Sequence, residues 1–448
     1  MRRSSRLQTR LALAALALAT LACGTYFPVN ERLPAWQPEE GYRGSRHERA
    51  LASDQLLLML AFSGGGTRAA AFAYGVLEEL AVTHVAFDGR VRSLVDEVDA
   101  VSGVSGGSFT AAYLGLHGRG IFRGFADRFL HRDVQSDLLL RLLFPTNWLR
   151  LFSPYWARSD LAAEYYDSRI FDGATFADML AGPGPFAAIH ATDLTTGSPF
   201  AFVQDQFDYL CSDLSLYPVS RAVAASSAVP LLLSPITLRN YSGCGFEPPA
   251  WVRNAQFESS VLDRTYVNAR NLMAYLDERR RFVRLVDGVV SDNLGVRGPF
   301  ENWSLEIAEE RPPGDDARDV VLLIVNAQTT PDVAWDSFDL PLSLSFVLDA
   351  ATSAQVNRYN LETVELLRRN FEVWNARTSR WLPPQHFHAI EISFVDVKDP
   401  AERAYLNDQA TSFRLSDEAV TRMRRAARDA LRSDPAFQAL LHRLRDTR

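Results

Sequence analysis

A serine flanked by glycines is the first feature of the sequence that could perform chemistry. Gly103-Val104-Ser105-Gly106-Gly107 matches the pattern G-x-S-x-G, in which a sharp turn between a strand and a helix lifts the serine hydroxyl to the edge of a sheet. An apolar run, 95–102, precedes the turn, and a helical pattern, 108–116, follows it. Backbone N–H groups at the start of that helix favour an oxyanion beside the serine. We therefore predict that Ser105 is a nucleophile, with Gly103 and Gly107 leaving room for the strained turn.

A second glycine turn, Gly64-Gly65-Gly66-Thr67-Arg68-Ala69, joins a predicted buried strand, 56–62, to a predicted helix, 68–82. One interpretation is the fingerprint of a Rossmann-type dinucleotide-binding protein. In that case Gly64-x-Gly66-x-x-Ala69 would hold a pyrophosphate at the helix N-terminus, and Asp88 lies near the distance at which an acidic residue would bind the ribose.

The other interpretation of this turn is an oxyanion hole. The backbone N–H groups of Gly64, Gly65 and Gly66 would stabilise the negative charge that forms during acyl transfer, and Arg68 would anchor the loop. A dinucleotide-binding protein gives Ser105 no role, whereas a serine hydrolase uses both turns. We favour the hydrolase.

An activated serine needs a proton acceptor, and four histidines follow Ser105 in the chain order that is common among α/β-hydrolases: His190, His386, His388 and His442. His386 and His388 precede a predicted strand in a proline-rich segment, and His442 belongs to a charged terminal helix. His190 lies at the end of a predicted strand and is the best of the four.

An aspartate can replace histidine where the site holds it near the hydroxyl in partly dry surroundings. Asp287-Gly288 follows the apolar run 282–286 and meets this requirement, because it lies at the carboxyl end of a predicted strand with a flexible residue next to it. The residues alone favour Asp287 as the base and leave His190 as the alternative.

Taken together, these motifs resemble the patatin-like phospholipase family, in its bacterial lipoprotein-type members. The matching segments, in the family's order, are Gly64 to Arg68, Gly103 to Gly107, Arg158-Ser159-Asp160-Leu161, Ala191 to Gly197, Ala222 to Pro235, Asp287-Gly288, and Thr411-Ser412-Phe413. The resemblance implies a three-layer α/β/α sandwich with a mostly parallel central sheet and helical insertions. It also implies a Ser-Asp dyad that hydrolyses phospholipid or other acyl-lipid esters without a metal or another cofactor.

Carried over to this chain, the resemblance makes Ser105 the nucleophile, Asp287 the general base and Gly64 to Gly66 the oxyanion donors. Two positions depart from the family pattern. Ala69 stands where glycine is frequent, and Val289 follows Asp287-Gly288 where glycine or alanine is usual. The stiff, β-branched Val289 beside the base puts the geometry of the aspartate loop in question. A catalytically silent, lipid-binding surface lipoprotein is the main alternative function.

Composition sets limits on the class of protein. Of the 448 residues 47% are apolar and 23% are charged, so the chain can form a large core. The formal net charge of -7 argues against a general nucleic-acid-binding protein. The three cysteines are too few for a disulfide scaffold and lack the spacing of a zinc site. Oligomeric state cannot be derived from these features.

The N-terminal segment has the pattern of a signal peptide. Four arginines precede the apolar run 11–22, whose twelve residues would span about 18 Å as a helix, against about 30 Å for the hydrocarbon core of a bilayer. The run ends directly before Cys23, which predicts lipidation of that cysteine and a lipid-anchored position in the bacterial cell envelope. Ordinary secretory cleavage is the alternative. Removal of residues 1–22 would change the formal charge from -7 to -11 because four arginines and no acidic residue are lost.

Export would place the two remaining cysteines in an oxidising compartment. Cys211 and Cys244 could then form a disulfide, or remain as two buried thiols.

The chain beyond the signal alternates short apolar runs with helical patterns, which is typical of an α/β sheet covered by helices. We predict a tether or lead-in over 23–53 and a catalytic core over 54–310, with insertions near 121–165 and 241–281. Residues 311–448 complete the same domain, with strands near 319–325 and 388–397.

One stretch, 138–156, fits this alternation poorly. It contains Phe144, Trp148, Phe152 and Tyr155 together with leucines, two prolines and two arginines. Apolar and aromatic side chains beside arginines suit the headgroup boundary of a lipid layer, which would make the segment an interfacial lid. The alternative is an insertion that packs on the core.

Overall fold

The computed structural model describes residues 29–48, 55–87, 90–153, 155–230, 232–258, 263–309, 313, 318–330 and 344–446. The predicted signal peptide and Cys23 lie outside the described residues. No helix within these ranges combines the length and the hydrophobicity needed to cross a bilayer.

The described strands are β1 Glu31–Arg32, β2 Leu56–Phe62, β3 His84–Phe87, β4 Arg90–Ser93, β5 Val98–Val104, β6 Phe186–Asp193, β7 Pro199–Ala201, β8 Ser212–Asp213, β9 Ile236–Arg239, β10 Phe282–Asp287, β11 Asp319–Asn326 and β12 His386–Ser393.

The described helices are α1 Gly44–Glu48, α2 Gly66–Val82, α3 Gly106–His117, α4 Ile121–Phe125, α5 Val134–Leu143, α6 Pro145–Leu151, α7 Arg158–Tyr166, α8 Phe176–Ala181, α9 Gln204–Asp208, α10 Val219–Ser226, α11 Ala250–Glu258, α12 Arg264–Met273, α13 Val289–Asp292, α14 Arg297–Ala308, α15 Leu344–Thr378, α16 Pro400–Asn407, α17 Asp417–Ser433 and α18 Pro435–Asp446. Short 3₁₀ turns occupy Leu94–Glu97, Gly118–Gly120, Ala274–Leu276 and Phe394–Asp396, and π turns occupy Ala126–Leu130 and Asp167–Phe171.

The central sheet has eight strands, seven of them in the order β12-β11-β2-β5-β6-β10-β9, with β7 paired to β6. The five strands from β12 to β6 are parallel. At the other edge β10, β9 and β7 are antiparallel to their neighbours. The predicted three-layer α/β/α fold is confirmed, with a sheet that is mixed because short strands complete one edge.

The sheet is covered on both faces, and its central strand β2 is apolar at every position. In β2, Leu58 and Leu60 pack in one hydrophobic cluster with α2, α3 and α17, while Leu57 and Ala61 pack in the other with α14 and α15. Successive side chains of a strand point to opposite faces, so a continuous apolar run fills two cores. This double burial fixes the carboxyl ends of the strands, where the glycine turn and the elbow begin.

The C-terminal part of the chain holds the helix that follows the glycine turn. A Cβ on Gly75 of α2 would lie 2.4 Å from the carbonyl oxygen of Arg424 in α17, so the two helices touch through their backbones. Ion pairs between Arg424 and Glu78 and between Arg432 and Glu79 lie beside this contact.

The described part of the predicted lead-in packs against the body. Tyr42 is buried and its hydroxyl donates to the carbonyl oxygen of Ala187 at 3.0 Å. Arg43 forms a buried ion pair with Asp208 at 2.7 Å. Near this segment Cys211 and Cys244 form a disulfide, with their Cα atoms 5.5 Å apart.

Several element boundaries differ from the expectations. The predicted strand 95–102 is a 3₁₀ turn followed by β5, and the predicted strand 388–397 begins at His386, so His386 and His388 lie within β12. The short strands β7 and β9 have no local signal, because they are defined only by pairing with β6 and β10.

Candidate active site

The G-x-S-x-G turn forms a sharp strand-to-helix elbow at Ser105. β5 ends at Val104, α3 begins at Gly106, and Ser105 has φ 49° and ψ -118°, a strained conformation for a residue with a side chain. Close backbone approach explains the glycine that follows. A Cβ on Gly106 would lie 2.0 Å from the carbonyl oxygen of Gly66, so only glycine lets the elbow contact the glycine turn.

The structure brings Ser105 and Asp287 together. The Ser105 hydroxyl donates a hydrogen bond of 2.9 Å to Oδ2 of Asp287, the last residue of β10. The backbone of Asp287 is held by its own N–H, which donates to the carbonyl oxygen of Ala228 at 3.0 Å. The other carboxylate oxygen, Oδ1, accepts a 3.0 Å hydrogen bond from the N–H of Val289. One oxygen is thus fixed by the backbone while the other faces the nucleophile.

The environment makes Asp287 a stronger base than an ordinary carboxylate. Ser105 is 4% exposed and Asp287 is 3% exposed. Burial raises the pKa of Asp287 from 3.8 to about 7, although the hydrogen bonds from Val289 and Ser105 act in the opposite direction. A base with a pKa near neutrality is well suited to accept and return a proton.

Val289 fits beside the base, and its N–H still donates to Oδ1 of Asp287. Its Cγ2 atom lies 2.3 Å from the position that a Cβ on Gly64 would occupy. The larger residue at 289 therefore fills the space that Gly64 leaves free.

The three glycines predicted as oxyanion donors have different surroundings. The N–H of Gly64 donates to both the carbonyl oxygen and the side-chain oxygen of Asn293, at 3.0 and 3.1 Å. Within the described ranges, the N–H groups of Gly65 and Gly66 have no hydrogen-bond partner. The geometry thus leaves Gly65 and Gly66 as the available donors and makes Gly64 a fixed point of the loop.

Arg68 ties the glycine turn to two distant segments. Its guanidinium donates to the carbonyl oxygen of Ala327 at 3.0 Å, to that of Gln409 at 2.5 Å and to the Thr411 hydroxyl at 3.1 Å. Ala327 follows β11, and the other two lie before α17. Five donors in a planar group allow one residue to bridge these segments.

The segment before α17 also covers the start of α2. The carbonyl oxygen of Ser412 accepts a 2.9 Å hydrogen bond from the N–H of Thr67 and lies 2.3 Å from the position of a Cβ on Gly66, whose φ is +61°. A pyrophosphate on this helix N-terminus would have to displace Ser412. The arrangement disfavours the dinucleotide interpretation.

A residue that the sequence did not single out supports the elbow. The Ser226 hydroxyl accepts a 2.8 Å hydrogen bond from the N–H of Ser105 and donates a 2.6 Å hydrogen bond to the carbonyl oxygen of His190. Ser226 lies in the segment 222–235 that resembles the family, but only the tertiary contact assigns it to the elbow.

The side chain that accepts the hydrogen bond of the Ser105 hydroxyl is Asp287 and not a histidine. His190 is buried, its Nε2 has no hydrogen-bond partner there, and burial lowers its pKa to about 4. Its ring lies 3.7 Å from the position of a Cβ on Gly298, at the start of α14. His388 contacts Asp319 at 2.7 Å in β12, and His442 lies in α18.

Tyr166 lies beside the dyad. The residue is fully buried in α7, and its hydroxyl lies next to the side chain of Ser227. Burial raises its pKa, and the charge of Asp287 acts in the same direction. The ring packs edge-on against Phe109 and Phe413.

No group of three metal-ligating side chains occurs in the described ranges.

Comparisons with known proteins give one family and several solved structures. The family model described as patatin-like phospholipase matches residues 60–299. Human GIVD cytosolic phospholipase A2 is 15% identical, and the match covers 93% of this chain and 71% of that chain with a TM-score of 0.46. Its complex with methyl gamma-linolenyl fluorophosphonate is 14% identical over 94% of this chain and 70% of that chain, with a TM-score of 0.45. VipD from Legionella pneumophila is 12% identical over 96% of this chain and 73% of that chain, with a TM-score of 0.33. A comparison with curated proteins gives no match.

Proposed function

Because the chain belongs to the patatin-like phospholipase family, we propose that it is a serine hydrolase of the phospholipase A or lysophospholipase type that cleaves lipid acyl esters through Ser105 and Asp287. The observation that carries this proposal is the 2.9 Å hydrogen bond from the Ser105 hydroxyl to Asp287 at a strained elbow. A nucleophile and a base within hydrogen-bond reach are the arrangement that covalent catalysis requires.

In the first half-reaction ionised Asp287 accepts the proton of Ser105 as its Oγ attacks the ester carbonyl carbon. The carbonyl oxygen becomes an oxyanion, which the N–H groups of Gly65 and Gly66 stabilise together with the positive end of α3. The tetrahedral intermediate collapses, the bond to the leaving alcohol breaks, and Asp287 returns the proton to that alcohol. Ser105 then carries the acyl group.

In the second half-reaction Asp287 accepts a proton from water as the water oxygen attacks the acyl-enzyme carbonyl. The same backbone donors stabilise the second oxyanion. Collapse breaks the ester bond to Ser105, whose Oγ regains the proton from Asp287, and a fatty acid leaves. Burial supports both steps because an Asp287 pKa of about 7 allows the carboxyl group to hold and release the proton near neutral pH.

Hydrolysis of a lipid panel, with products identified by mass, tests this function and identifies headgroup and acyl position. We expect Ser105→Ala and Asp287→Asn each to lower turnover by about three orders of magnitude or more while both proteins remain folded. Near-full activity in Asp287→Asn would contradict the dyad and return His190 to consideration.

The alternative is a catalytically silent lipid-binding protein with the same fold. A fluorophosphonate probe distinguishes the two, since an activated serine reacts covalently and a silent pocket does not. We expect labelling of the parent protein and none of Ser105→Ala. A parent protein that binds lipid but is not labelled would support the silent protein.

We also propose that the protein is exported and anchored to the bacterial cell envelope by a lipid on Cys23. The disulfide between Cys211 and Cys244 supports export, because such bonds persist in oxidising compartments. Metabolic labelling with a radioactive fatty acid tests the anchor. We expect the wild-type chain to be labelled and Cys23→Ser to be unlabelled, whereas equal labelling of both would contradict it.

A further inference from the structure

Two helices near the candidate site expose an unusual concentration of apolar side chains. We define the α5–α6 surface as the outward side chains of residues 139–153 and 155, which cover the second half of α5, all of α6 and the turn after it. Eight of the 23 exposed large hydrophobic residues in the described parts of the chain lie in this short stretch. Leu149 and Phe152 are 77% and 72% exposed, which is more than most apolar residues of a folded protein show.

Val134 and Leu138 pack α5 on the hydrophobic core, and polar contacts add to the attachment of the two helices. Asp137 of α5 accepts a 2.5 Å hydrogen bond from the Tyr165 hydroxyl of α7. Arg150 of α6 forms an ion pair with Glu164 of α7, and the Trp156 indole N–H donates to the same carboxylate at 2.9 Å. An ordinary surface helix buries its apolar face and exposes its polar one. In residues 139–155, by contrast, eight large apolar side chains are exposed.

The charge of this segment fits a layer of phospholipid. Residues 138–159 contain Arg141, Arg150 and Arg158 and no acidic residue, in a chain whose formal net charge is -7. Trp148 and Tyr155 lie among the exposed leucines, and both side chains combine an apolar ring with a polar edge. Aromatic rings and arginines beside exposed leucines match the boundary between headgroups and acyl chains.

The same surface is connected to the candidate active site. The N–H of Gln135 in the first turn of α5 donates to the carbonyl oxygen of Phe413, whose neighbour Ser412 contacts the glycine turn. On the other side, Tyr165 holds α5 while the next residue, Tyr166, lies beside the dyad.

Two further exposed apolar residues lie in segments that contact Asp287. Val290 is 48% exposed and follows Val289, whose N–H donates to the Asp287 carboxylate. Leu232 is exposed and lies four residues after Ala228, whose carbonyl oxygen accepts from the N–H of Asp287. Apolar side chains are therefore also exposed in the two segments that hold Asp287.

We propose that the α5–α6 surface docks on a phospholipid bilayer and inserts its leucines and aromatic rings into the boundary between headgroups and acyl chains. Docking in this orientation brings the elbow to the lipid, and that consequence rests on the proposed function. Docking itself depends only on the exposed side chains. Hydrophobic insertion also suits a body whose net charge is negative, because attraction of the whole protein to anionic lipid is weak.

A fluorescent label tests the contact directly. The full chain carrying Ser105→Ala, which prevents hydrolysis, receives an environment-sensitive nitrobenzoxadiazole on Leu149→Cys, or on Val373→Cys as a control on the exposed side of α15. On adding phosphatidylcholine vesicles we expect a blue shift and about a twofold or larger rise in emission at position 149 and no change at 373. The label responds only to lipid near its own position. Membrane attachment through a lipid on Cys23 would therefore not by itself change the emission at position 149 and leave it unchanged at 373. An unchanged emission at 149 would overturn the proposal.

A matched pair of double variants tests the energetic contribution. Leu149→Glu/Phe152→Glu removes two exposed apolar side chains from the surface, and Phe257→Glu/Val373→Glu removes two comparably exposed ones elsewhere. In the Ser105→Ala chain we expect the first pair to weaken partition into phosphatidylcholine vesicles about tenfold or more and the second by less than about twofold. Equal partition of both, with unchanged unfolding temperatures, would overturn the proposal.

Two more measurements distinguish membrane docking from the proposed function and from dimerisation through the same surface. With Ser105 present, the surface variant should lose far more activity on vesicles than on a monomeric short-chain ester, relative to the control pair. A parent protein without activity on either substrate contradicts the proposed function, while the label at position 149 still decides the docking. Sedimentation that reveals a dimer disrupted only by the surface variant, with vesicle partition unchanged, would assign the surface to a second copy of the chain and overturn the proposal.

Discussion

Ser105 and Asp287 share a hydrogen bond of 2.9 Å across 182 residues of sequence, and neither residue is more than 4% exposed. The bond joins the ends of β5 and β10, which lie on either side of β6 in the sheet. Since β10 runs antiparallel to β6, Asp287 is opposite Ala191, the neighbour of His190, which pairs with Val104 directly before the elbow. A mixed sheet is therefore what places this base beside this nucleophile.

The protonation of Asp287 should control activity near neutral pH. Ionised Asp287 accepts the serine proton, and burial raises its pKa to about 7. We expect kcat/KM on a soluble ester to fall about tenfold per pH unit below that pKa and to level off above it. A pH–rate profile from pH 4.5 to 9 measures this. A profile that levels off near pH 4, as for an exposed carboxylate, would contradict the dry environment of the base.

The same burial predicts an effect on stability. The folded state binds the Asp287 proton more tightly than the unfolded state does, so the contribution of Asp287 to stability falls as pH rises from about 4 to about 7 and stays low above that. Asp287→Asn removes a buried charge, and we expect it to raise the free energy of unfolding by about 2–4 kcal/mol at pH 8 and by much less at pH 4.5.

Urea unfolding at the two pH values measures this difference. Ser105→Ala serves as the control, because it keeps Asp287 and should keep the pH dependence. An Asp287→Asn protein that is less stable than the parent at pH 8 would contradict the prediction. It would show that the hydrogen bonds of the Asp287 carboxylate stabilise the fold by more than its burial destabilises it.

The sequence predicted those parts of the site whose signal is local. The glycines around Ser105 mark the elbow because a strained turn leaves little room for side chains. Asp287 could be chosen because a strand pattern ends on it. Asn293 and Ser412 could not be found in this way, since their contacts with Gly64 and Thr67 join segments that are far apart in the chain.

For the fold, the long apolar runs predicted the parallel strands, because burial on both faces leaves a continuous hydrophobic pattern. The bounds of the short edge strands had no such pattern. The expectation that Val289 would disturb the aspartate loop depended on its bulk and its stiff, β-branched side chain. Its size is accommodated by the missing side chain of Gly64, a compensation that only the tertiary structure reveals.

Arg68 should couple the position of the glycine turn to the C-terminal segment. Arg68→Met removes the donors to Ala327, Gln409 and Thr411, and we expect a loss of about 2–4 kcal/mol of stability together with a lower kcat. Arg68→Lys keeps the charge but cannot bridge all three acceptors, so its effect should be intermediate. Thermal unfolding and turnover on a soluble ester measure both. A lysine variant equal to the parent would show that charge alone suffices.

The disulfide should stabilise the body without affecting the chemistry. Cys211→Ser/Cys244→Ser opens a loop that spans 33 residues, and we expect the free energy of unfolding to fall by about 2–4 kcal/mol with little change in kcat of the folded protein. Urea unfolding with and without a reducing agent measures this. Reduction should destabilise the parent by a similar amount and leave the double variant unchanged. Equal stability of oxidised and reduced parent protein would contradict the prediction.

Ser226 should act as a positioning residue for the nucleophile. Its hydroxyl links the N–H of Ser105 to the carbonyl oxygen of His190, so Ser226→Ala leaves both buried groups without this partner. We expect kcat and the rate of fluorophosphonate labelling to fall about 10–100-fold with little change in KM, because the strained elbow loses its support and the substrate contacts remain.

Ser227→Ala is the matched control for this prediction. Ser227 is equally buried, but its hydroxyl donates to the carbonyl oxygen of Val223 within the same helix turn. If both variants lower the unfolding temperature alike but only Ser226→Ala slows labelling, the hydroxyl positions Ser105. Similar labelling rates in the two would mean that Ser226 has a structural role only. Ser226→Cys, which keeps a weak donor and acceptor, should recover part of the rate if positioning is the cause.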